Sequence, residues 1–423
     1  MKSDSTKILN SIPASLQFAL RSVQPIELFK SFLKVDSDGI EFSDQNVIWK
    51  NFDKIHVWSV GKPAVQILDD FLDVVHASCF SSRLAITKYG HSSNRRGNFD
   101  VLESAHPIPD KMSLSAADEL ISRFGDLGSQ SLVIGLISGG GSALMEKLMP
   151  GLDWSKWIQL TESLLKSGAN IHEINLVRSA FSELKRGRLL NFMNGARSLN
   201  FIFSDVVGNR LESVSSGMTV PEKIDFEIVR KTLEKYGQSE FLKFLERRKD
   251  LDKSFNVQNV LVGSNQRLLD VFCKNLSSSV ATELVDFQVD QTLLDQIRDM
   301  EELALLRRGK VFVWGGEVTH HVTGNGKGGR NQELALRLGY SLYKSGLDFV
   351  VFSIGTDGTD GPTDAAGGIC FRETFQRAQD LGLSVENHIQ NNDSYHFLSK
   401  TDSLLKTGPT GVNYMDLYGI VVF

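Results

Sequence analysis

Basic side chains beside glycine turns, with aspartates at strand ends, are the residue types that phosphoryl transfer asks for, and four stretches of this chain supply them. Gly61-Lys62-Pro63 follows the apolar run HVWSV and sets a lysine just ahead of a helix start, where proline is comfortable. The helix dipole offers a cation nothing there, so Lys62 reads either as sharing an anion with the helix or as a solvated turn lysine. Ser138-Gly139-Gly140-Gly141-Ser142 joins a hydrophobic run to a helix start. Its glycines let backbone N–H groups face an anion, and the two serines add hydroxyl donors. The third stretch, GNGKGGRNQELALRL from residue 324, offers Gly326, Gly328 and Gly329 ahead of Arg330 and Asn331. The fourth, GTDGTDGPTD from residue 355, brings Asp357, Asp360 and Asp364 together. These aspartates suit Mg²⁺, or equally a turn whose side chains cap their own backbone.

Gly324, Gly326 and Gly329 also fit G-x-G-x-x-G, the spacing of a dinucleotide turn. That fingerprint needs an acidic residue at the end of the next strand, about 20 residues on, to hold a ribose. The next apolar run, FVVFSIG, has Asp348 at its beginning instead, and Arg330 stands where a pyrophosphate would meet the helix. The spacing therefore points to phosphate more than to nicotinamide. No GxxxxGK followed by Ser or Thr, no HExxH and no G-x-S-x-G occurs, which removes the P-loop, zincin and serine-hydrolase readings. The nine histidines make no metal spacing. His320-His321 fall in a candidate strand, where their side chains would point to opposite faces.

The 423 residues are too many for one ordinary core, so two domains are expected. A net charge of −5 argues against nucleic acid or an anionic membrane as the main partner and leaves room for a local anion pocket. Three cysteines, Cys79, Cys273 and Cys370, lie far apart, as expected of reduced and mostly buried thiols in a cytoplasmic protein. The N-terminus lacks a signal-peptide pattern, and the run SQSLVIGLISGGGSALM is glycine-interrupted and short of the ~20 apolar residues a spanning helix needs.

Short apolar runs alternate with longer amphipathic stretches, which predicts an α/β chain with a parallel sheet covered by helices. Strands are expected at 54–60, 83–88, 131–138, 201–204, 259–263, 311–315, 318–323 and 348–355. Helices are expected at 63–76, 113–124, 155–168, 171–190, 228–248, 264–276 and 331–345, the last with Leu334, Leu338 and Leu342 on one buried stripe. The charged stretch LERRKDLDKS places a domain boundary between residues 250 and 251.

GKPA (61–64), SGGGSAL (138–144), SDVVG (204–208), GGEVTHHVTGNGKGGRNQELAL (315–336), GTDGTDGPTDAAGG (355–368) and TGPTGVNYMDL (407–417) together resemble the class II glycerate kinases, the glycerate 2-kinases with a C-terminal MOFRL domain. AITKYG (85–90) and SAHPIPD (104–110) fit as well. The resemblance implies a Rossmann-like parallel-sheet N-terminal domain (1–250) and a smaller α/β C-terminal domain (251–423) with the MOFRL region near 310–417. It implies an active site in the cleft between them. The implied reaction is phosphorylation of D-glycerate by ATP, with a divalent cation. Lys62 and Arg330 match the family's basic active-site residues and are assigned to the transferring phosphoryl group. Asp205 is the candidate beside the substrate hydroxyl, as base or through Mg²⁺, and Glu317, Asp357 and Asp360 are unranked candidates for the metal. Ser138, Gly139, Gly140, Gly141, Ser142, Gly326, Gly328, Gly329, Asn331 and Thr410 would hold ATP phosphates or the substrate carboxylate. The expected partner is a small hydroxy acid, without nucleic acid or membrane, and a homodimer stays open.

Two first-domain segments depart from the family pattern. In VRSAFSELKRGRLL (177–190), Ser179 and Ala180 stand where lysine and histidine are usual, and Arg186 replaces a glycine. In SDVVGNRLESVSSGMTVPE, Val207, Asn209, Arg210 and Met218 replace a proline, two aspartates and a proline. The competing readings are a hydroxypyruvate reductase, which lacks its ribose acid here, and a paralogue that binds its ligand without turnover.

Overall fold

The computed structural model describes residues 2–76, 78–93, 95–248, 251, 254–285 and 291–423. Residues 249, 250, 252 and 253, where the boundary between 250 and 251 was expected, lie outside the described residues. Two compact units are formed. One comprises Phe29–Ser204 and Arg210–Val262, and the other Met1–Leu28, Asp205–Asn209 and Gly263–Phe423.

The first unit opens with a small antiparallel sheet of β1 (Lys34–Val35), β2 (Gly39–Phe42) and β3 (Gln45–Ile48). Its main sheet contains β4 (Ile55–Val60), β5 (Phe80–Lys88), β6 (Asp100–Ser104), β7 (Leu132–Ile137), β8 (Arg197–Phe203) and β9 (Val257–Gly263). Their spatial order is β6-β5-β4-β7-β8-β9, and β6 through β8 pair in parallel. Every residue of β4 and β7 is buried, which is why β7 reads as a continuous apolar run and β4 as one interrupted only by His56 and Ser59. The chain builds outward from β4 to β6 on one side and from β7 to β9 on the other. The order therefore reverses between β4 and β7, and such a switch point leaves a crevice at the carboxyl ends of those two strands. The turns at that crevice are Gly61-Lys62-Pro63 and Ser138–Ser142.

A helical layer in this unit packs Trp157, Leu164, Val177, Ala180, Phe181 and Leu233 into one core. Two expected helices prove shorter. The one predicted over 171–190 is Ile171–Phe181, ended by an extended Ser182 whose hydroxyl donates to Glu146 at 2.5 Å. The one predicted over 228–248 is Phe226–Lys235, and the chain then turns through Gly237 at φ +69°, a conformation glycine adopts without strain.

The second unit holds β10 (Thr282–Leu284), β11 (Val311–Gly316), β12 (Phe349–Gly355), β13 (Gly367–Phe371), β14 (Leu404–Leu405) and β15 (Asp416–Val422), in the order β10-β11-β15-β12-β13-β14. Only the β10–β11 pairing is parallel, so this sheet is mixed. The helix Arg330–Lys344 buries Leu334, Leu338 and Leu342 as its spacing predicts. The N-terminal helix Lys2–Ser22 packs against the helix Asn265–Ser277, which joins the start of the chain to this unit.

The strand expected at 318–323 does not form. Thr319 makes one isolated bridge to Thr292, and the following backbone is satisfied by side chains instead. Val318 N–H donates to the Tyr418 hydroxyl at 3.2 Å, and Thr323 and Gly324 N–H groups donate to Asn392 Oδ1 at 2.9 and 2.8 Å. Without that strand His320 and His321 do not alternate across a sheet, and His320 Nε2 instead meets Asn392 Nδ2 at 3.1 Å. Cys370 is buried, Cys273 half-buried and Cys79 exposed. Among the described residues, no helix is long and apolar enough to cross a membrane.

Candidate active site

In the first unit, the structure brings Lys62 and the Ser138–Ser142 turn together. Lys62 N–H donates to the Gly139 carbonyl at 3.0 Å, and Thr87 Oγ1 donates to the Lys62 carbonyl at 2.9 Å. Gly61, at φ +133°, lies where a side chain would strike Ser138 Oγ at 2.0 Å, so no other residue lets the two turns approach this closely. Gly140, at φ +96°, faces His106 and Lys62: a methyl group there would meet His106 Cδ2 and Nε2 at 3.2 Å and Lys62 Cγ at 3.3 Å. Ser215 Oγ anchors the Ser138 carbonyl at 2.6 Å, and Ser216 Oγ donates to Ser142 Oγ at 2.8 Å.

Beneath this turn lies a buried charged group that spacing did not reveal. Lys185 Nζ donates to the Ser142 carbonyl at 3.0 Å and pairs with Glu146 at 2.8 Å, both side chains almost wholly buried. Burial draws the Lys185 pKa down, against the attraction of Glu146. Arg178 reaches the same carbonyl at 3.4 Å from a place over the Trp157 ring. The departures Ser179 and Ala180 are both buried, Ala180 in the apolar core of the helical layer. Arg186 occupies a left-handed φ of +53°, which explains why glycine suits that position.

The second unit gathers Glu317, Gly326, Gly328, Gly329, Arg330 and Asp360 around a cavity of about 560 Å³, with His320, Glu333 and Asn392 also lining it. Arg330 is fixed at two points by Asp416, through Nε to Oδ2 at 2.6 Å and Nη2 to Oδ1 at 2.9 Å. Its Nη1 meets Glu317 at 2.9 Å. Asp416 is wholly buried and also accepts from Asn331 Nδ2 at 3.0 Å and the Tyr418 hydroxyl at 2.9 Å. Burial works against the Arg330 charge, but the bonds and charges of Asp416 and Glu317 outweigh it and hold the pKa above the ordinary value.

Asp360 and Asn331 serve the helix that carries Arg330. Asp360 accepts from Asn331 N at 3.1 Å and Gln332 N at 2.8 Å, so it caps a helix whose own cap residue, Gly329, has no side chain. Burial pushes its pKa up to about 6, against those N–H bonds. Asn331 is buried, giving Nδ2 to Asp416 and receiving Ser353 Oγ on Oδ1 at 2.6 Å. The G-x-G segment has its N–H groups engaged: Asn325, Gly326 and Lys327 donate to Asn391 and Asp393 at 2.8–3.0 Å. Gly324 and Gly326 are needed for that close approach, since a methyl group on either would fall within 2.6 Å of the 391–393 segment.

Asp357 Oδ1 accepts from Thr359 N at 3.0 Å, the turn-capping arrangement. Thr410 closes the neighbouring turn, with Oγ1 donating to the Thr356 carbonyl at 2.6 Å and N–H to the Asp357 carbonyl at 3.1 Å. Asp205 sits half-buried in the short 205–209 segment of this unit. Among the described residues, no three His, Cys, Asp or Glu side chains come together as a metal cluster. Asp416 was not among the expected site residues, although it stands inside TGPTGVNYMDL.

Residues 12–245 match the domain of unknown function DUF4147, and residues 310–416 match the MOFRL family. The chain is 36% identical to a D-glycerate 2-kinase of Thermotoga maritima, over 88% of this chain and 92% of that one. It is 34% identical to a glycerate 2-kinase of Pyrococcus horikoshii, over 93% of each. A crystal structure of glycerate kinase from Thermotoga maritima superposes with a TM-score of 0.87 at 32% identity, covering 99% of this chain and all of the other. The chain belongs to the MOFRL-containing glycerate 2-kinase family.

Proposed function

We propose that this protein transfers the terminal phosphoryl group of ATP to the 2-hydroxyl of D-glycerate, forming 2-phosphoglycerate and ADP. The observation that carries the reading is the two-point clamp of Asp416 on Arg330, which aims a permanent cation at a glycine-rimmed cavity. A phosphoryl group in transfer spreads negative charge over its oxygens, and fixed donors already in place stabilise that charge without reorganising. Arg330 and Lys62 take that role, with the Ser138–Ser142 turn offering backbone N–H groups to phosphate or carboxylate oxygens. Asp205 is assigned to the acceptor hydroxyl.

Mg²⁺ needs one or two carboxylates, the rest of its shell being phosphate and water. Glu317 fits, being half-exposed beside Arg330 at the cavity rim, whereas Asp360 has both oxygens engaged by N–H donors. Bound there, the ion would neutralise charge on the ATP phosphates. A cytoplasmic location and a homodimer are the finer expectations, the second checked by light scattering.

The test is ADP release by the full chain with ATP, Mg²⁺ and a panel of hydroxy acids, D-glycerate first, with the product identified by NMR. No acceptor-dependent ADP across the panel would overturn the reading. Oxidation of NADH by hydroxypyruvate, followed at the nicotinamide band, would replace it with the reductase.

A further inference from the structure

His106 stands two residues beyond β6, among the carboxyl ends of the parallel strands, and its ring is half-buried. Its Cδ2 and Nε2 lie 3.2 Å from the point where Gly140 would carry a methyl group, and Lys62 Cγ lies 3.3 Å from that same point. The imidazole, the lysine stem and the glycine turn thus converge on one spot. Among the described residues neither ring nitrogen meets a hydrogen-bond partner, and neither is sealed from solvent, so both are open to a ligand. Burial lowers the ring's pKa to about 4, and Lys62 and Lys88 push the same way, so at neutral pH the ring is uncharged, with one N–H donor and one acceptor nitrogen. The backbone N–H groups of Gly139, Gly140 and Gly141 likewise have no acceptor among the described residues.

We propose that His106 is a ligand-contacting residue, its neutral imidazole donating an N–H to an oxyanion held between Lys62 and the Gly139–Gly141 turn. A neutral ring suits the position: it supplies a directed donor without adding a third positive charge beside Lys62 and Lys88. The oxyanion is a phosphate oxygen of the nucleotide or the carboxylate of the hydroxy acid. The assignment rests on the phosphoryl-transfer reading, but its test is read by binding alone.

Calorimetry on the full chain with inorganic phosphate, ADP and D-glycerate, each added singly, separates the two sources. His106→Ala should weaken the ligand concerned about tenfold or more, the worth of a hydrogen bond to a charged group. His106→Gln, which places an amide N–H near the Nε2 position, should stay within about threefold of the parent. Loss confined to phosphate and ADP assigns the nucleotide, and loss confined to D-glycerate assigns the carboxylate. In the parent protein, the ¹⁵N resonances of the His106 ring should move on saturation with that ligand. Unchanged binding of all three in both variants, or no binding of any by the parent, would overturn the assignment. Binding that depends on His106 in a protein without kinase turnover would sink the kinase reading and leave this one standing.

Discussion

Arg330 and Asp416 stand 86 positions apart in the chain and meet in a two-point ion pair, Nε to Oδ2 at 2.6 Å and Nη2 to Oδ1 at 2.9 Å. The pair has a consequence for the helix and strand it joins. Arg330 opens the helix Arg330–Lys344, and Asp416 opens β15, the strand between β11 and β12 at the middle of its sheet. The guanidinium's direction is therefore set by the sheet as much as by its own loop.

Removing the carboxylate should free Arg330 without removing it. Asp416→Asn is expected to lower kcat by about 10²-fold, a loss of about 3 kcal/mol in the range of a misdirected fixed donor. Arg330→Lys should not substitute, because an ammonium cannot make the two parallel bonds. Steady-state kinetics with D-glycerate and ATP checks both, with circular dichroism confirming the fold. Activity of Asp416→Asn within threefold of the parent would refute the clamp's role.

Arg330→Ala should cost several kcal/mol of transition-state stabilisation, on the order of 10²–10³ in kcat/KM. Because removal leaves the wholly buried Asp416 carboxylate without its cation, circular dichroism and urea denaturation are needed to separate lost chemistry from lost stability. Retained turnover would remove Arg330 from the mechanism.

Arg186 should carry a measurable strain. A non-glycine residue in the left-handed region costs about 1 kcal/mol. The ion pair to Glu222 at 2.8 Å returns little at a partly exposed site. In a Glu222→Gln background, Arg186→Gly should therefore raise stability by about 1 kcal/mol in urea denaturation. A fall would show that the arginine's packing outweighs its backbone.

His106 should make the protein acid-sensitive. Its pKa in the folded state, about 4, lies below the unfolded value near 6.5, so the unfolded chain binds the proton first as pH falls. The stability difference is absent above pH 6.5 and accumulates against the folded state down to about pH 4. Screening at a half-buried ring reduces the effect to about 1 kcal/mol between pH 7 and 5. His106→Gln should lose less stability than the parent by that amount over that interval. Parallel pH profiles would contradict the shift.

Much of the scaffold was legible. Strands β4, β7 and β12 are mostly apolar and buried along their whole length, and the stripe of Leu334, Leu338 and Leu342 has a helical period, so local pattern and tertiary burial agree there. VTHHVT has the composition of a strand but not its partners, because Asn392 and Tyr418 take its N–H groups. Pattern cannot report which side chains will compete with a neighbouring strand. The helix predicted through Ser182 failed because its backbone finds other partners: Glu183 N–H donates to the Lys147 carbonyl at 2.7 Å, and the Phe181 carbonyl accepts from Met149 N–H at 3.0 Å.

The chemistry of single turns was readable because it is local: three successive glycines permit an anion nest, and Gly61-Lys62-Pro63 puts a lysine at a helix start, whatever surrounds them. The ordered motifs also placed the chain in its family. What depended on the folded structure was which atoms remain available. Asn391, Asn392 and Asp393 occupy the N–H groups that the G-x-G spacing seemed to offer, and Asp360 is a helix cap across 29 residues. Asp416 clamps Arg330, and Lys185 and Glu146 sit buried under the glycine turn. Hydrogen bonds and charge pairs saturate, so a residue's type announces what it is able to do, and only its partners in space decide whether that capacity is already spent.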